Sequence, residues 1–148
     1  MACAKRMLAR PTIRKAPLSV SLVRQLIDRS FRSQSRAGDQ YALLRFCFFI
    51  LTSFYAFLRF SDFCVLRVRH FRFFNDYMVI TVPQSKCDQY RQNNTVTVAA
   101  QSSMLSYCAV NAAQRYFELL RNASATDDSL VLLAVMVGRD GVIRHLVK

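Results

Sequence analysis

An arginine and an aspartate lie three residues apart at the end of the most apolar stretch of the chain. Residues 42–58 carry a single charge, that of Arg45, and Arg59 and Asp62 follow directly. On one face of a helix, a spacing of three residues lets an aspartate pair with an arginine. Asp62 can then brace the Arg59 guanidinium while the guanidinium fork binds a phosphate in a bidentate arrangement. The alternative is a helix-end arginine with a local ion pair.

The charge balance of the whole chain indicates a polyanionic partner. Lys and Arg number 21 against 9 Asp and Glu, which gives a formal net charge of +12. Nucleic acid is the usual partner of such an excess. More positive charge follows the apolar stretch, at Arg67, Arg69 and His70. The alternative is a basic protein whose charge serves only to keep it in solution.

Helices are predicted before and through the apolar stretch. Ser19 is a candidate N-cap of a first helix that ends within residues 30–38, where Ser, Arg and Gly are frequent. Its apolar residues recur at helical spacing: Val20, Val23, Ile27 and Phe31, with Leu22 and Leu26 beside them. A second helix is predicted from Asp39 to about Leu58, and a short third helix within residues 59–66.

A small sheet and a fourth helix are predicted after these helices. Residues 71–74 and 77–82, joined at Asn75-Asp76, are typical of a β-hairpin, and Thr95-Val-Thr-Val98 alternates as a third strand. The polar residues between the second and third strands predict a projecting loop that contains Lys86 and Arg91. An amphipathic helix is predicted over Met104–Leu120, with Leu105, Cys108, Ala112, Tyr116 and Leu119/Leu120 on its apolar face.

The C-terminal part of the sequence predicts its secondary structure less clearly. Residues 122–129 read as a polar linker, and residues 130–137 fit a strand or a helix equally well. The fold class that follows from all these elements is α+β, mainly helical with a small three-stranded antiparallel sheet.

Composition argues against several classes of protein. The five cysteines are odd in number without C-x-x-C spacing, and both histidines lie far from any cysteine pair, so neither a metal nor another cofactor is expected. Reduced thiols and the absence of an evident signal peptide predict a nuclear or cytoplasmic protein. The uncharged run 46–58 is shorter than the roughly 20 apolar residues that cross a bilayer, so no membrane partner is expected.

Four segments together resemble the tyrosine recombinases, the phage-integrase family. Leu58-Arg59-Phe60-Ser61-Asp62-Phe63 resembles their first arginine box, roughly Leu-Arg-x-Ser-Glu/Asp-Leu. Ser85-Lys86-Cys-Asp-Gln-Tyr-Arg91 is similar to the Ser-Lys-Thr-Asp-Gln-x-Arg phrase of recombinases encoded by eukaryotic mobile elements. Lys15-Ala-Pro-Leu-Ser19 and Cys108-Ala-Val…Arg115-Tyr-Phe117 match two further segments, although Ala109 stands where proline is usual. The segments occur in the family's order, and the likeness is strongest over residues 15–120.

The resemblance implies a domain organisation and a set of roles. Residues 1–14 would be a basic arm or the remnant of a linker, and residues 15–148 a partial catalytic domain. Arg59 would clamp the scissile phosphate, Asp62 would orient Arg59, and Lys86 would act as general acid to the leaving 5′ oxygen. Further DNA contacts would come from Lys15, Arg67, Arg69 and Arg91.

Other parts of the family pattern are absent from these 148 residues. A His-x-x-Arg box and a later nucleophilic tyrosine are needed, but Tyr116 is the last of the six tyrosines, and Arg144-His145 has the wrong order and spacing. Without that nucleophile a phosphotyrosine intermediate cannot form in cis. The chain alone is therefore predicted to be catalytically inactive.

Three hypotheses about function remain open at this point. The first is a truncated tyrosine recombinase linked to DNA integration and recombination, and the second is a basic module that occupies double-stranded DNA without chemistry. The third is a helical protein that docks on a partner or a membrane face. Loss of covering helices would leave an apolar patch on the helix within residues 42–58, which predicts self-association, or association with a full-length recombinase.

Overall fold

The structure, a computed structural model, describes residues 16–32, 37–83, 94–132, 135–137 and 143–145. The predicted arm 1–14, Lys15 and the loop residues Lys86 and Arg91 lie outside the described residues. The described residues form four α-helices and a three-stranded antiparallel sheet, together with a separate two-stranded pair. The predicted α+β fold class is therefore confirmed.

Helix α1 (Val20–Arg32) begins at the predicted N-cap. The Ser19 hydroxyl accepts a hydrogen bond from the Leu22 N–H at 3.2 Å, which satisfies one of the unpaired donors of the first turn. Val23 and Ile27 are buried, but Val20 and Phe31 are 43% and 39% exposed. The predicted apolar stripe is thus correct only at its centre. A helix at the edge of a domain, packed mainly against one neighbour, buries only a narrow stripe.

Helix α2 (Ala37–Tyr55) is the central element, and it is apolar on nearly all sides. Its prediction to about Leu58 is three residues too long, because the chain leaves the helix in a turn at Phe57. Phe48 is fully buried at its middle, where its ring contacts those of Phe63, Phe71, Tyr116 and Phe117 at centroid distances of 4.8 to 5.8 Å. A helix that is hydrophobic all round needs neighbours on several sides.

Helix α3 (Phe60–Cys64) and the sheet supply two of those neighbours. Phe63 of α3 is fully buried against Phe48 and Phe49. The sheet has the order β1 (Phe71–Phe73), β2 (Tyr77–Val82), β3 (Asn94–Ala99), and both neighbouring pairs are antiparallel. The predicted hairpin is confirmed: the Phe74 N–H donates to the Tyr77 carbonyl at 2.9 Å and closes the turn at Asn75-Asp76.

Helix α4 (Ala109–Asn122) packs against α2 from another side. The prediction that this helix starts at Met104 is wrong. Leu105–Tyr107 form a short 3-10 helix, and Leu105 is 63% exposed. Helix α4 begins after Cys108, whose Sγ accepts a hydrogen bond from the Asn111 N–H at 3.5 Å. Apolar spacing continues across such a break, so periodicity alone could not locate it.

Of the strand and helix alternatives for residues 130–137, the structure shows a strand over the last three residues. β4 (Val135–Val137) pairs with β5 (Ile143–His145) in an antiparallel arrangement, and Leu130 forms an isolated bridge with Arg67. Among the described residues, no helix is long and apolar enough to cross a membrane.

Candidate nucleic-acid interface

The turn after α2 determines where Arg59 emerges. Phe57 adopts a left-handed backbone with φ 53°, and the Leu58 N–H donates to the Ser53 carbonyl at 3.0 Å. This bond spans six residues and is the mark of a Schellman motif, which normally has glycine at the left-handed position. Arg59 follows with extended backbone, at φ −74° and ψ 155°. The chain thus leaves α2 sharply and presents Arg59 immediately beyond the turn.

Asp62 holds the main chain of Arg59 from the other side. The Arg59 carbonyl accepts from the N–H groups of Asp62 and Phe63, both at 3.0 Å, so Arg59 is the N-cap of α3. Asp62 Oδ2 in turn accepts from the Arg59 N–H at 3.4 Å, and Asp62 is only 9% exposed. The Asp62 carboxylate therefore supports the main chain of Arg59. The role of Asp62 in orienting the guanidinium stays a prediction.

Two aromatic side chains flank Arg59 in solvent. Phe57 is 91% exposed and Phe60 is 68% exposed, and Arg59 itself is exposed. We refer to Phe57, Arg59 and Phe60 as the Arg59 surface. A guanidinium binds phosphate oxygens in a fork, and exposed rings offer faces on which bases can stack. The sequence analysis did not predict that Phe57 is part of this surface. It extended α2 to about Leu58, whereas the helix ends at Tyr55 and Phe57 lies in the turn after it.

Arg67 and Arg69 are both engaged with Asp128. The Arg67 guanidinium donates to the Asp128 carbonyl, and Arg69 forms an ion pair with the Asp128 carboxylate. Backbone bonds from Val68 to Ser129 and from Arg69 to Asp127, each 3.0 Å, join the same two segments. Asp128 neutralises part of the charge that Arg67 and Arg69 were predicted to offer DNA. The pair is exposed on both sides, so a phosphate could compete for it.

His70 carries less positive charge near neutral pH than an ordinary histidine does. Its Nδ1 accepts from the Arg67 N–H at 3.0 Å, which assigns the ring proton to Nε2. Burial, followed by the charges of Arg69 and Arg67, lowers the pKa of His70 from its ordinary value of 6.5. The lowered pKa reduces the positive charge that His70 contributes to this cluster at pH 7.

The base of the predicted loop lies at the same end of the sheet as these arginines. The loop joins Val82, which ends β2, to Asn94, which begins β3 and pairs with Val82. Val82 lies two residues along β2 from Ile80, which pairs with Phe71 at the start of β1. Phe71 directly follows the 3-10 helix Val68–His70, which contacts β2. Lys86 and Arg91 are outside the described residues, as is Lys15. Their approach to Arg59 stays a prediction.

Four tyrosine hydroxyls serve the packing of the protein. Tyr116 is fully buried; its hydroxyl donates to the Val131 carbonyl at 2.8 Å and lies 3.2 Å from that of Tyr41. Burial, with the Tyr41 hydrogen bond second, raises the pKa of Tyr116, which is the opposite of nucleophile activation. Tyr107 donates to Asp28 at 2.6 Å, and Tyr55 to Gln101 at 3.5 Å.

Comparisons with known proteins do not identify a family for this chain. No protein-family model matches the chain, and no curated protein matches it. Within the described ranges, no three His, Cys, Asp or Glu side chains cluster as a metal site requires. The resemblance to tyrosine recombinases therefore rests on the motifs quoted above.

Proposed function

We propose that this chain binds double-stranded DNA through backbone phosphates at the Arg59 surface. The observation that carries the proposal is an exposed arginine whose main chain is held on both sides, by the Schellman turn at Phe57 and by buried Asp62. A guanidinium presented from a rigid backbone loses little freedom on binding a phosphate. The net charge of +12 supplies the long-range attraction.

The role that fits the resemblance is DNA recombination and integration, without strand cleavage by these residues alone. They contain no His-x-x-Arg box, and their last tyrosine, Tyr116, is buried. A tyrosine that attacks phosphorus would have to come from outside these 148 residues, for instance from a full-length recombinase bound beside this chain. We expect action in the nucleus or the cytoplasm, where DNA or its mobile-element intermediates occur.

Salt dependence of DNA binding tests the proposal. Fluorescence anisotropy with a labelled duplex, measured across a salt series, should give a log–log slope of about −0.9 for each phosphate contacted. Arg59→Gln should weaken binding and make the slope shallower by about one unit. Arg121→Gln is the matched control, because Arg121 is exposed in the last turn of α4 and carries the same charge. Equal effects of the two substitutions would refute a specific role for Arg59.

A second measurement addresses chemistry. Radiolabelled DNA incubated with the chain should be released completely by denaturant, because no tyrosine of this chain is expected to hold a 3′ phosphate covalently. Labelled DNA that stays bound to the denatured protein would show that these residues do cleave strands.

A further inference from the structure

An apolar groove runs between α2 and α3. Its volume is about 440 Å³, within the range of about 300–1,000 Å³ that is typical of ligand sites. One wall consists of Ala42, Phe46 and Phe49, which recur at a spacing of four and three on α2. Phe60 and Cys64 on α3 form the other wall, and Leu132 also lines the groove. The α2 wall lies within residues 42–58, where an apolar patch was predicted.

The aromatic lining of the groove is only partly covered. Phe60 is 68% exposed, and Phe46 and Phe49 are half-buried. Phe49 makes edge-on contacts with Phe60 at 5.9 Å and Phe63 at 5.1 Å, so its ring forms the floor between the two helices. A continuous groove lined by one exposed and two half-buried phenyl rings offers more hydrophobic area to a partner than scattered single residues do.

A single positive charge stands in the same groove. Arg45 lines it and is the one charged residue within 42–58. Its guanidinium lies 5.7 Å from the centroid of the Tyr41 ring, an arrangement that positions the cation without neutralising it. No acidic side chain of the described ranges is within ion-pair distance of Arg45. A carboxylate in the groove would therefore gain a preformed partner.

We propose that the α2–α3 groove binds an amphipathic helix of a partner protein, with a carboxylate that pairs with Arg45. Helix-in-groove recognition uses apolar anchors at i, i+3, i+4 and i+7, and the spacing of Ala42, Phe46 and Phe49 is complementary to such a series. The acidic residue supplies orientation, because only one direction of the helix brings it to Arg45. The groove shares Phe60 with the Arg59 surface, whereas Arg45 and the α2 wall belong to the groove alone.

Charge and shape argue against two other occupants. A second copy of this chain carries +12 as well, and a symmetric contact would bring two such charges and two Arg45 side chains together. A bilayer surface is flat, so it cannot reach Phe49 at the floor of a groove between two helices. An acidic helix satisfies both the apolar walls and the cation.

The test uses designed peptides and charge exchange. The probe is a fluorescent helical peptide of about 15 residues, with leucines at i, i+3, i+4 and i+7 and a glutamate one turn away. Two matched peptides carry glutamine or lysine in place of the glutamate. Arg45→Gln should lower affinity for the glutamate peptide by about fivefold and leave the glutamine peptide unchanged. Arg45→Glu should bind the lysine peptide better than the glutamate peptide.

Apolar contacts are tested with a matched pair of phenylalanine variants. Phe60→Ala should lower affinity for all three peptides by about tenfold. Phe74→Ala should leave it unchanged, since Phe74 is 43% exposed on the β1–β2 hairpin, away from the groove. Circular dichroism should show that both variants fold.

Three results would overturn the proposal. Failure of every peptide to bind the folded chain would do so directly. Self-association in sedimentation, abolished by Phe60→Ala and not displaced by peptide, would assign the groove to a second copy. Binding to neutral phosphatidylcholine vesicles that Phe60→Ala abolishes, with no peptide binding, would assign it to lipid.

Discussion

At the scale of single residues, Arg59 owes its position to its neighbours in the chain. Phe57 turns the backbone out of α2 in a conformation that costs a non-glycine residue about 1–2 kcal/mol. Asp62, nearly buried, accepts from the Arg59 N–H. A strained, fully exposed phenylalanine beside a presented arginine is a reason to look for function at that point.

Replacement of Phe57 by glycine should stabilise the fold. Glycine adopts a positive φ freely, and a ring that is 91% exposed contributes little packing, so Phe57→Gly should raise the free energy of unfolding by about 1 kcal/mol. Phe60→Gly is the control, because Phe60 opens α3 with ordinary φ; there glycine should destabilise by about 0.5–1 kcal/mol. Urea titrations measure both, and a loss of stability in Phe57→Gly would contradict the strain argument.

Cys47 should make the fold sensitive to alkali. Burial raises the pKa of Cys47 from 9.0 to about 11, although Arg115 acts in the opposite direction. Below pH 9 the thiol is protonated in both the folded and the unfolded protein. Between pH 9 and 11 only the unfolded chain loses this proton. The free energy of unfolding therefore falls as the pH rises, by up to about 1.4 kcal/mol per pH unit. Urea titrations from pH 7 to 11 should show a shallower decline for Cys47→Ala. Identical slopes would refute this.

At the scale of secondary-structure elements, the short helix α3 depends for its stability on packing against α2. α3 has five residues, far fewer than an isolated helix needs in water, and it persists through Phe63, which is buried against Phe48 and Phe49. Its first turn also uses the Asp62 carboxylate. The groove on one side of α3 and the Arg59 surface at its start therefore depend on the same short helix.

Two substitutions at Asp62 separate main-chain support from charge pairing. Asp62→Asn keeps an oxygen that can accept from the Arg59 N–H, so stability and DNA affinity should change little. Asp62→Ala removes the acceptor and should lower the free energy of unfolding by about 1 kcal/mol, with weaker DNA binding. Thermal melts and anisotropy measure the two effects. A loss of DNA affinity in Asp62→Asn as large as in Asp62→Ala would show that the charge itself acts on Arg59.

At the scale of the whole molecule, one aromatic cluster joins the helices to the sheet. Phe48 contributes from α2, Phe63 from α3, Phe71 from β1, and Tyr116 and Phe117 from α4. The ring pairs are stacked, tilted or edge-on, and stacked and edge-on pairs are arrangements that ring quadrupoles favour.

Truncation of Phe48 should affect every element at once. Phe48→Ala leaves a cavity among four rings and should lower the free energy of unfolding by about 3–5 kcal/mol, whereas Phe48→Leu should cost less because it refills most of the volume. Calorimetry should show one transition that moves as a unit. A loss confined to one element, with the remaining ellipticity unchanged, would show that the cluster does not couple them.

What the sequence determined by itself was local. The Ser19 N-cap, the Asn75-Asp76 hairpin and the third strand were predictable, because capping and strand alternation depend on neighbouring residues. Their arrangement as an α+β fold followed from element order. Net charge likewise needed only counting, and it is the basis for expecting a polyanion.

The tertiary structure decided which side chains are presented and which are engaged. Asp128 lies about sixty positions from Arg67 and Arg69, yet it contacts both. Tyr116 is withdrawn from solvent by Tyr41 and Val131, and Phe57 ends α2 where apolar periodicity continues. Periodicity reports only that a residue is apolar at a given spacing. Burial, ion pairing and the groove between α2 and α3 arise from segments distant in sequence, which only packing brings together.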